Sequence, residues 1–278
     1  MTALAFTKMH ALGNDFMLIN GITQKVKLTP HLIQQWGNRH FGVGFDQLLL
    51  VEPSYDPEID FIYRIFNADG TEVGQCGNGA RCLALFVQEQ GLTHKKNIRI
   101  ATKTTQMTLE ILENEWVKVN MGLPFLAPEI IPFLIKQQAI SYSIQTEMGL
   151  FTIGAVSMGN PHCILQVEDI HEIPIQQLSP LFQKHPQFPE SVNVGFLQIV
   201  NRNTLKLRVY ERGVGETLAC GSGACAAVVY AKSQNWVDEK VTVELPGGQV
   251  LIEWHSLKEP VYLIGPASIV FHGVINKY

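Results

Sequence analysis

Apolar residues along this chain occur in short runs bounded by glycine, proline or asparagine, a pattern that predicts β-strands. The clearest runs are residues 47–51, 61–66, 117–121, 163–167 and 206–210. Two longer segments, residues 80–90 and 224–234, are rich in alanine, leucine and valine and contain no turn residue, so they predict two buried helices. Turn residues occupy positions 67–70 (Asn-Ala-Asp-Gly) and 246–248 (Pro-Gly-Gly). The fold class expected from these segments is α+β.

The pattern is duplicated within the chain. Residues 64–80 align without a gap to residues 208–224, at an offset of 220 − 76 = 144 positions. Matching positions are Arg64 and Arg208, Phe66 and Tyr210, Glu72 and Glu216, Cys76 and Cys220, Gly77 and Gly221, Gly79 and Gly223, and Ala80 and Ala224. Both predicted helices begin directly after a Cys-Gly-X-Gly sequence. The repeat therefore predicts two pseudo-symmetric domains with a ligand site in the cleft between them.

Two weaker echoes extend the repeat. The pair Gly13-Asn14 resembles Gly159-Asn160, and residues 43–47 (Val-Gly-Phe-Asp-Gln) resemble residues 194–198 (Val-Gly-Phe-Leu-Gln). Their offsets differ slightly from 144, as loop insertions would cause. We expect both echoes to mark equivalent places in the two halves.

Composition narrows the class of protein. A chain of 278 residues with 46% hydrophobic residues is long enough to bury one large core or two ordinary ones. The net charge of −4 and the absence of a basic run argue against a nucleic-acid partner, which favours a small polar ligand. Charged residues interrupt the first 20 positions, and no run reaches the ~18 apolar residues of a membrane helix. We expect a soluble cytoplasmic protein with no membrane partner.

The cysteines suggest chemistry, although packing is the default interpretation of any single one. The chain has five, Cys76, Cys82, Cys163, Cys220 and Cys225, an odd count that argues against a disulfide framework. At a helix N-terminus, unpaired backbone N–H groups and the helix dipole favour negative charge. A thiol at that place can have its pKa lowered from about 8.5 toward neutrality. The glycines beside it let the backbone approach a ligand carboxylate closely.

Two such thiols suit the inversion of a stereocentre. One thiolate removes a proton from one face of a carbon atom, and the other thiol delivers a proton to the opposite face. The two groups exchange roles in the reverse direction, so they must rest in opposite protonation states. Because coupled groups titrate together, a measured pKa belongs to the pair.

Other interpretations of Cys-Gly-X-Gly fit less well. Zinc sites commonly use Cys-x2-Cys spacing, and the intervals from Cys76 to Cys82 and from Cys220 to Cys225 differ from it. A thioredoxin-like pair needs Cys-x-x-Cys, and nucleotide loops need Gly-x-Gly-x-x-Gly or a terminal Gly-Lys-Ser/Thr, which the chain lacks. A structural turn with a buried thiol remains the alternative for either motif alone, and the recurrence of the motif argues against it.

Several motifs together resemble the diaminopimelate epimerase family. They are residues 6–16 (Phe-Thr-Lys-Met-His-Ala-Leu-Gly-Asn-Asp-Phe), 67–70 and 76–81, 158–162 (Met-Gly-Asn-Pro-His), 191–193 (Ser-Val-Asn), 211–216 (Glu-Arg-Gly-Val-Gly-Glu) and 219–223 (Ala-Cys-Gly-Ser-Gly). They occur in the family's order over nearly the full length of the chain. The resemblance is therefore specific.

The resemblance implies interconversion of LL- and meso-diaminopimelate in lysine biosynthesis, without pyridoxal phosphate, another cofactor or a metal. It implies that Cys76 and Cys220 are the acid/base groups and that His162 and Glu211 tune their pKa values. Implied substrate contacts are Asn14, Gln47, Asn67, Gly77, Asn78, Asn160, Asn193, Glu211, Arg212, Gly221 and Ser222. A homodimer is also implied, as are mixed strands around a central helix in each domain. The implied domains are residues 1–120 plus 266–278, carrying Cys76, and residues 121–265, carrying Cys220.

Plainer interpretations remain open for single residues. Asn14 and Asn160 stand beside glycine, where asparagine often only forms a turn. His162 follows a proline and could be a loop histidine. We interpret Cys82, Cys163 and Cys225 as packing residues, and we leave Asp69, Glu72 and Glu216 outside the site as residues that order the loop before each cysteine.

Two rival functions remain. Proline and hydroxyproline racemases use the same pair of thiols on a different amino acid. The polar residues Asn160, Asn193, Glu211 and Arg212 favour a longer substrate with an amino acid at each end. Outside enzymes, an amino-acid-binding or thiol-sensing protein would keep the cleft without turnover, and loss of either Cys76 or Cys220 would have favoured it.

Overall fold

The computed structural model describes residues 3–74 and 76–276. Its helices are α1 (Pro30–Gly37), α2 (Gly77–Glu89), α3 (Ile175–Gln183) and α4 (Gly221–Ser233). Its strands are β1 (Leu4–Ala11), β2 (Asn14–Asn20), β3 (Gln47–Pro53), β4 (Phe61–Asn67), β5 (Glu72–Val73), β6 (Asn97–Ala101), β7 (Gln106–Ile111), β8 (Val117–Asn120), β9 (Tyr142–Thr146), β10 (Gly149–Ser157), β11 (Pro161–Gln166), β12 (Asn193–Asn201), β13 (Thr204–Glu211), β14 (Gly215–Thr217), β15 (Lys240–Leu245), β16 (Gly248–Glu253), β17 (Tyr262–Gly265) and β18 (Ser268–Ile275). The chain divides into two compact units, Met1–Asn120 with Gly265–Tyr278, and Met121–Ile264.

The strands of the first unit follow one another in the spatial order β18-β1-β2-β3-β4-β6-β7-β8. The β2–β3 and β4–β6 pairs are parallel and the other pairs are antiparallel. The short strand β5 folds back on β4. Helix α1 lies between β2 and β3 along the chain, and α2 between β5 and β6. The parallel pairs are thus the ones joined through a helix.

The second unit repeats this topology strand for strand, in the order β9-β10-β11-β12-β13-β15-β16-β17. The parallel pairs are β11–β12 and β13–β15, and β14 folds back on β13. Helices α3 and α4 occupy the same places along the chain as α1 and α2. The position of β9 at the sheet end is taken in the first unit by β18, from the C-terminal end of the chain. The predicted α+β duplication is confirmed.

The register of the strands tests the two weaker echoes. Phe16 of β2 pairs with Gln47 of β3, and His162 of β11 pairs with Asn193 of β12. Asn14 and Asn160 each precede these pairs by two residues, so the first echo is confirmed. Gln47 is therefore equivalent to Asn193, and the predicted match of residues 43–47 with 194–198 is wrong. Residues 43–46 precede β3 whereas residues 194–198 lie within β12, so the shared Val-Gly-Phe letters do not mark equivalent positions.

All five predicted strands are present, and both predicted helices begin three residues earlier than expected, at the glycine after each cysteine. The turn at 67–70 is closed by Gly70 N–H donating to the Asn67 carbonyl, with Gly70 at φ +86°. Residues 246 and 247 connect the antiparallel pair Leu245 and Gly248. Both turns were predicted.

Each unit has an apolar core. Helix α4 is buried on all sides, as expected of a helix rich in alanine and valine, and α2 is buried over most of its length. In the first unit, apolar side chains of β1–β4 and α1 form a cluster: Leu4, Phe6, Met17, Ile19, Ile33, Trp36, Phe45, Leu48, Leu50 and Phe66. In the second unit a cluster joins β9–β12 and α3, with Ile153, Cys163, Phe182, Phe188 and Phe196 among its members. These cores fix the strand ends from which the polar side chains project.

Candidate active site

Each Cys-Gly-X-Gly cysteine is the N-cap residue of its helix. Cys76 precedes α2 with extended backbone angles (φ −154°, ψ 105°), and the Gly79 N–H donates to its Sγ over 3.3 Å. Cys220 precedes α4 with similar angles (φ −116°, ψ 107°). Both thiols therefore lie where unpaired N–H groups and the helix dipole favour negative charge.

The second glycine of each motif is required by close packing on the strand beneath. A Cβ at Gly79 would lie 2.1 Å from Tyr63 Oη of β4. A Cβ at Gly223 would lie 3.0 Å from Val209 Cγ2 of β13 and 3.2 Å from Cys220 Sγ. The helix starts can approach these strands only because both positions lack a side chain.

In the first unit, four amide side chains form two hydrogen-bonded pairs near Cys76. Asn78 Nδ2 donates to Asn14 Oδ1 over 3.2 Å, and Gln47 Nε2 donates to Asn67 Oδ1 over 2.9 Å. Gln47 Oε1 is buried and has no hydrogen-bond partner among residues 3–74 and 76–276. The predicted residues Asn14, Gln47, Asn67, Gly77 and Asn78 are therefore at the ends of β2, β3 and β4 and at the start of α2.

A charged network that contacts the Asn14 side chain was not predicted from the sequence. Asn14 Nδ2 donates to Asp46 Oδ2 over 2.9 Å, and Arg39 bridges Asp46 and Asp15 at 2.8 Å from each. Lys8 donates to Asp15 and to the Gly44 carbonyl. Burial opposes ionisation of Asp15, but hydrogen bonds from Arg39 and Lys8 outweigh it and hold its pKa at about 2. Asp15 therefore stays ionised at neutral pH, and Asp46 fixes one amide hydrogen of Asn14.

In the second unit, Asn160, His162 and Ser222 contact one another. Asn160 Nδ2 donates to Ser222 Oγ over 3.2 Å, and His162 Nε2 lies 3.1 Å from both Asn160 Oδ1 and Ser222 Oγ. Burial and, to a smaller extent, the nearby Arg212 lower the pKa of His162 to about 3, so the imidazole is neutral at pH 7. His162 lies in β11 and is hydrogen-bonded, so it is not a loop histidine.

The Asn193 side chain makes two hydrogen bonds to the backbone, one of them to the predicted site residue Arg212. Its Nδ2 donates to the Pro161 carbonyl over 2.8 Å, and its Oδ1 accepts from the Arg212 N–H over 2.9 Å. The Arg212 guanidinium donates to the Glu190 carbonyl over 2.8 Å and is largely exposed. Arg212 is therefore anchored by its backbone, and part of its guanidinium fork faces solvent.

The surroundings of Cys220 disfavour its thiolate. The residue is only 4% exposed. Burial raises the pKa of its thiol well above the usual value, and the neighbouring Glu211 carboxylate raises it further. Ser222 Oγ, 3.7 Å from Sγ, and the Gly223 N–H act in the opposite direction without reversing the shift. Cys220 is consequently a protonated thiol at neutral pH.

The duplicated backbone carries equivalent side chains in the two units. The equivalent pairs are Asn14 and Asn160, Gln47 and Asn193, Asn67 and Glu211, Cys76 and Cys220, and Asn78 and Ser222. The units differ at the position of Phe16, which is equivalent to His162, and at the position of Asn67, which is equivalent to Glu211. At these two positions the titratable side chain lies in the second unit.

The remaining predictions concern residues outside the site. Cys82, Cys163 and Cys225 are fully buried, as expected of packing residues. The matched residues Arg64 and Glu72 form an ion pair at 2.9 Å, and Arg208 and Glu216 form one at 2.7 Å. These pairs tie β5 to β4 and β14 to β13, which orders the segment before each cysteine. The Asp69 carboxylate accepts hydrogen bonds from Thr71 within the preceding turn.

Neither a metal cluster nor a membrane span is found in the part of the chain that the structure describes. Within residues 3–74 and 76–276, no three His, Cys, Asp or Glu side chains converge as metal ligands do. The same residues include no helix with the length and apolar character required to cross a bilayer.

Solved structures share this fold at low sequence identity. A phenazine biosynthesis protein of the PhzF family from Bacillus anthracis is 16% identical, with a TM-score of 0.69 over 99% of each chain. A hydroxyproline epimerase from Agrobacterium vitis, with bound trans-4-hydroxy-L-proline, is 13% identical, with a TM-score of 0.70 over 98% of this chain and 92% of the other. A methylitaconate-delta-isomerase is 12% identical, with a TM-score of 0.68 over 99% and 95%. The shared architecture is a duplicated-domain epimerase fold.

A comparison of the sequence with family models identifies the family within this fold. A sequence model of the family described as diaminopimelate epimerase matches residues 6–126 and 154–270. The two matched segments include both N-cap cysteines and every residue predicted for the site. The chain therefore belongs to the diaminopimelate epimerase family.

Proposed function

We propose that this protein interconverts LL- and meso-diaminopimelate, with Cys76 and Cys220 as the two acid/base groups acting on one α-carbon. The observation that carries the proposal is that each helix-capping thiol has different surroundings. Cys76 is half-buried and accepts a backbone N–H, whereas Cys220 is buried beside a carboxylate. A reaction in which one group takes a proton and the other gives one needs such a difference.

In the proposed direction from the resting state, Cys76 is the thiolate that removes the α-proton and Cys220 is the thiol that protonates the opposite face. The Gly79 N–H stabilises negative charge on Cys76 Sγ. Burial and Glu211 keep the proton on Cys220. After one turnover the protonation states are exchanged, and the reverse reaction restores them. The chemistry needs no cofactor, because both proton transfers use side chains of this chain.

The α-carboxylate of the substrate is proposed to bind at the helix starts, where Gly77, Asn78, Gly221 and Ser222 present backbone N–H groups. The remaining predicted contacts suit the far amino-acid end. The exposed part of the Arg212 guanidinium can bind a carboxylate through two hydrogen bonds. The buried Gln47 Oε1 offers an acceptor for an ammonium group. A substrate charged at both ends uses these groups better than proline does.

Proton exchange tests the proposal directly. In deuterated water without added cofactor, LL-diaminopimelate and then proline are given to the wild type and to the Cys76→Ala and Cys220→Ala variants, with deuterium at the α-carbon followed by NMR. We expect label only in diaminopimelate, and inversion reduced at least ~100-fold in either variant. Cys82→Ala, a buried cysteine farther along α2, is the matched control and should keep most of the activity.

The outcomes separate the rival functions. Label in proline would favour a racemase acting on that amino acid. No exchange with either substrate would favour an amino-acid-binding or thiol-sensing protein. Exchange that survives both cysteine substitutions would contradict the two-thiol mechanism itself.

We also propose a homodimer. Strand β18 pairs with β1 and carries apolar side chains that are 39–55% exposed: Ile269, Val270, Phe271 and Val274. Exposed apolar strands of this length are more often covered by a partner than left in water. Sedimentation of the wild type and of Val270→Glu tests the proposal, with a dimer expected only for the wild type. A wild-type monomer would contradict it.

A further inference from the structure

A hydroxyl group contacts the carboxylate beside Cys220. Thr217 of β14 donates from Oγ1 to Glu211 Oε1 over 2.5 Å. A hydrogen bond to an ionised acceptor is short and about twice as strong as one between neutral groups. Thr217 therefore holds one carboxylate oxygen of Glu211 in a fixed place.

The strand register directs both side chains toward the start of α4. Thr217 pairs with Val209, and Glu211 pairs with Gly215, in the antiparallel β13–β14 ladder. Side chains two residues apart on a strand share a face, so Val209, Glu211 and Thr217 lie on the same face. Val209 Cγ2 on this face lies 3.0 Å from the Cβ position of Gly223 in the first turn of α4. The contact between Thr217 and Glu211 is thus made on the face where Cys220 caps the helix.

The first unit lacks this pair at the equivalent positions. Residue 217 corresponds to Val73, which pairs with Ile65 just as Thr217 pairs with Val209. Residue 211 corresponds to Asn67, whose Oδ1 accepts from Gln47 instead. In the first unit the apolar Val73 is found together with the Asn67 amide. In the second unit the Thr217 hydroxyl is found together with the Glu211 carboxylate, to which it donates.

We propose that Thr217 is a positioning residue that holds the Glu211 carboxylate against the Cys220 thiol, so that this cysteine rests with its proton. The inference rests on the proposed function, since it names the residue that sets the resting state of one of its two acid/base groups. Without Thr217 the Glu211 carboxylate loses the hydrogen bond that fixes one of its oxygens, and its repulsion of a Cys220 thiolate weakens.

The effect of Thr217 on the protonation of Cys220 depends on the charge of Glu211. The neutral His162 contacts Ser222, whose Oγ lies 3.7 Å from Cys220 Sγ, and Arg212 acts on His162. Besides burial, the influences that disfavour a negative Cys220 come from Glu211, while Ser222 and the Gly223 N–H oppose them. Removing the hold on Glu211 therefore shifts the balance toward the thiolate.

Thiol alkylation tests the inference without turnover. Wild type, Thr217→Val and Thr217→Ser are treated with iodoacetamide at a series of pH values, and modification of Cys220 and Cys76 is quantified by mass spectrometry in the same sample. We expect Thr217→Val, which installs the first-unit residue, to raise the alkylation rate of Cys220 roughly three- to tenfold at pH 8 and to shift its titration to lower pH. Thr217→Ser, which keeps the hydroxyl, should match the wild type.

Cys76 is the internal control, and its alkylation rate should be unchanged in all variants. Thr242→Val is the matched control, because Thr242 pairs with Thr204 at the opposite end of β13 from Glu211. Equal Cys220 profiles for wild type and Thr217→Val would overturn the inference. Equal changes in Thr217→Val and Thr217→Ser would also overturn it, since the hydroxyl would not matter. Because no substrate is used, these outcomes are independent of whether diaminopimelate is turned over.

Discussion

The two units have the same strand order and the same helix-capping cysteine, yet the polar groups around the two thiols differ. The first unit surrounds Cys76 with amides, and its charged groups stand behind Asn14, where Asp46, Asp15 and Arg39 bond one another. The second unit places Glu211 next to Cys220 itself. Duplication supplied two equivalent sites for a thiol, and the substitutions at a few strand ends gave the two thiols different polar surroundings.

The difference teaches that the backbone and the side chains have separate roles. The backbone places each thiol at the positive end of a buried helix, and this is identical in both units. Among the equivalent positions that differ between the units are Phe16 and His162, Asn67 and Glu211, and Val73 and Thr217. Exchanging residues between these positions is therefore the sharpest way to test the comparison.

The largest effect is expected for Glu211→Gln, which replaces the carboxylate with the amide type found at Asn67. Burial still raises the pKa of Cys220 in this variant, but without the negative charge that pKa falls, so the preference of the resting thiol for the proton weakens. We expect inversion to slow by about 100-fold and Cys220 alkylation at pH 8 to accelerate. Both are measured on the same preparation, by proton exchange and mass spectrometry.

The reciprocal change, Asn67→Asp, sharpens this prediction. It gives the first unit a carboxylate at the equivalent position and should slow alkylation of Cys76 while leaving Cys220 unaffected. If Glu211→Gln left the Cys220 titration where it is in the wild type, the carboxylate would not be the source of the difference between the units.

A second effect concerns how closely each helix start packs on its strand. Gly79→Ala places a methyl group 2.1 Å from Tyr63 Oη, whereas Gly223→Ala meets Val209 at 3.0 Å. We expect Gly79→Ala to cost about 2–3 kcal/mol of unfolding free energy, and Gly223→Ala to cost less. Urea unfolding measures both.

The double variant Gly79→Ala with Tyr63→Phe tests the cause. Tyr63 is fully buried, and its hydroxyl has no hydrogen-bond partner among the described residues, so its removal costs little and creates room. We expect it to recover at least ~1 kcal/mol of the loss. Additive effects of the two substitutions would show that the hydroxyl is not the obstacle.

Much of this comparison could be predicted from the sequence. The ungapped repeat gave the duplicated α+β fold and the helix that follows each cysteine, because local apolar patterns determine such elements. The residues that hold the site residues could not be found this way. Asp46 contacts Asn14, Arg39 contacts Asp46, and Thr217 contacts Glu211 through strand register and loop path, which no spacing in the sequence reveals. The false echo at 194–198 has a related origin, since residues 43–46 precede β3 whereas residues 194–198 lie within β12, and shared letters do not reveal this.

A third prediction concerns the pH dependence of stability and follows from the presence of His162 in the second unit where the first unit has Phe16. The folded pKa of His162 is about 3 and its ordinary value is 6.5, so below pH 6.5 the unfolded chain binds a proton that the folded chain refuses. Stability therefore falls as the pH is lowered from 6.5 toward 3, by about 2 kcal/mol between pH 6.5 and 5. Asp15 in the first unit contributes stability that is lost only below pH 4, as the pH approaches its folded value of about 2.

Urea unfolding of wild type and His162→Gln at pH 7, 6 and 5 measures this dependence. The variant should be less stable at pH 7, because contacts with Asn160 and Ser222 change, yet it should lose less stability as the pH falls. Parallel curves for the two proteins would mean that His162 does not carry the acid sensitivity.

The smallest effect is expected where the two units look most alike, at the ion pairs before each cysteine. Arg64 donates to Glu72 at 2.9 and 3.2 Å and lies 3.9 Å from Glu52, whereas Arg208 donates to Glu216 and also to the carbonyls of Ile170 and Ile173, at 3.0 and 3.4 Å. Lysine keeps the charge but lacks the guanidinium fork. We therefore expect Arg208→Lys to cost about 1 kcal/mol more than Arg64→Lys, because two carbonyls lose their donor. Thermal unfolding of the two variants measures the difference, and equal losses would mean that the carbonyl contacts of Arg208 add nothing to the ion pair.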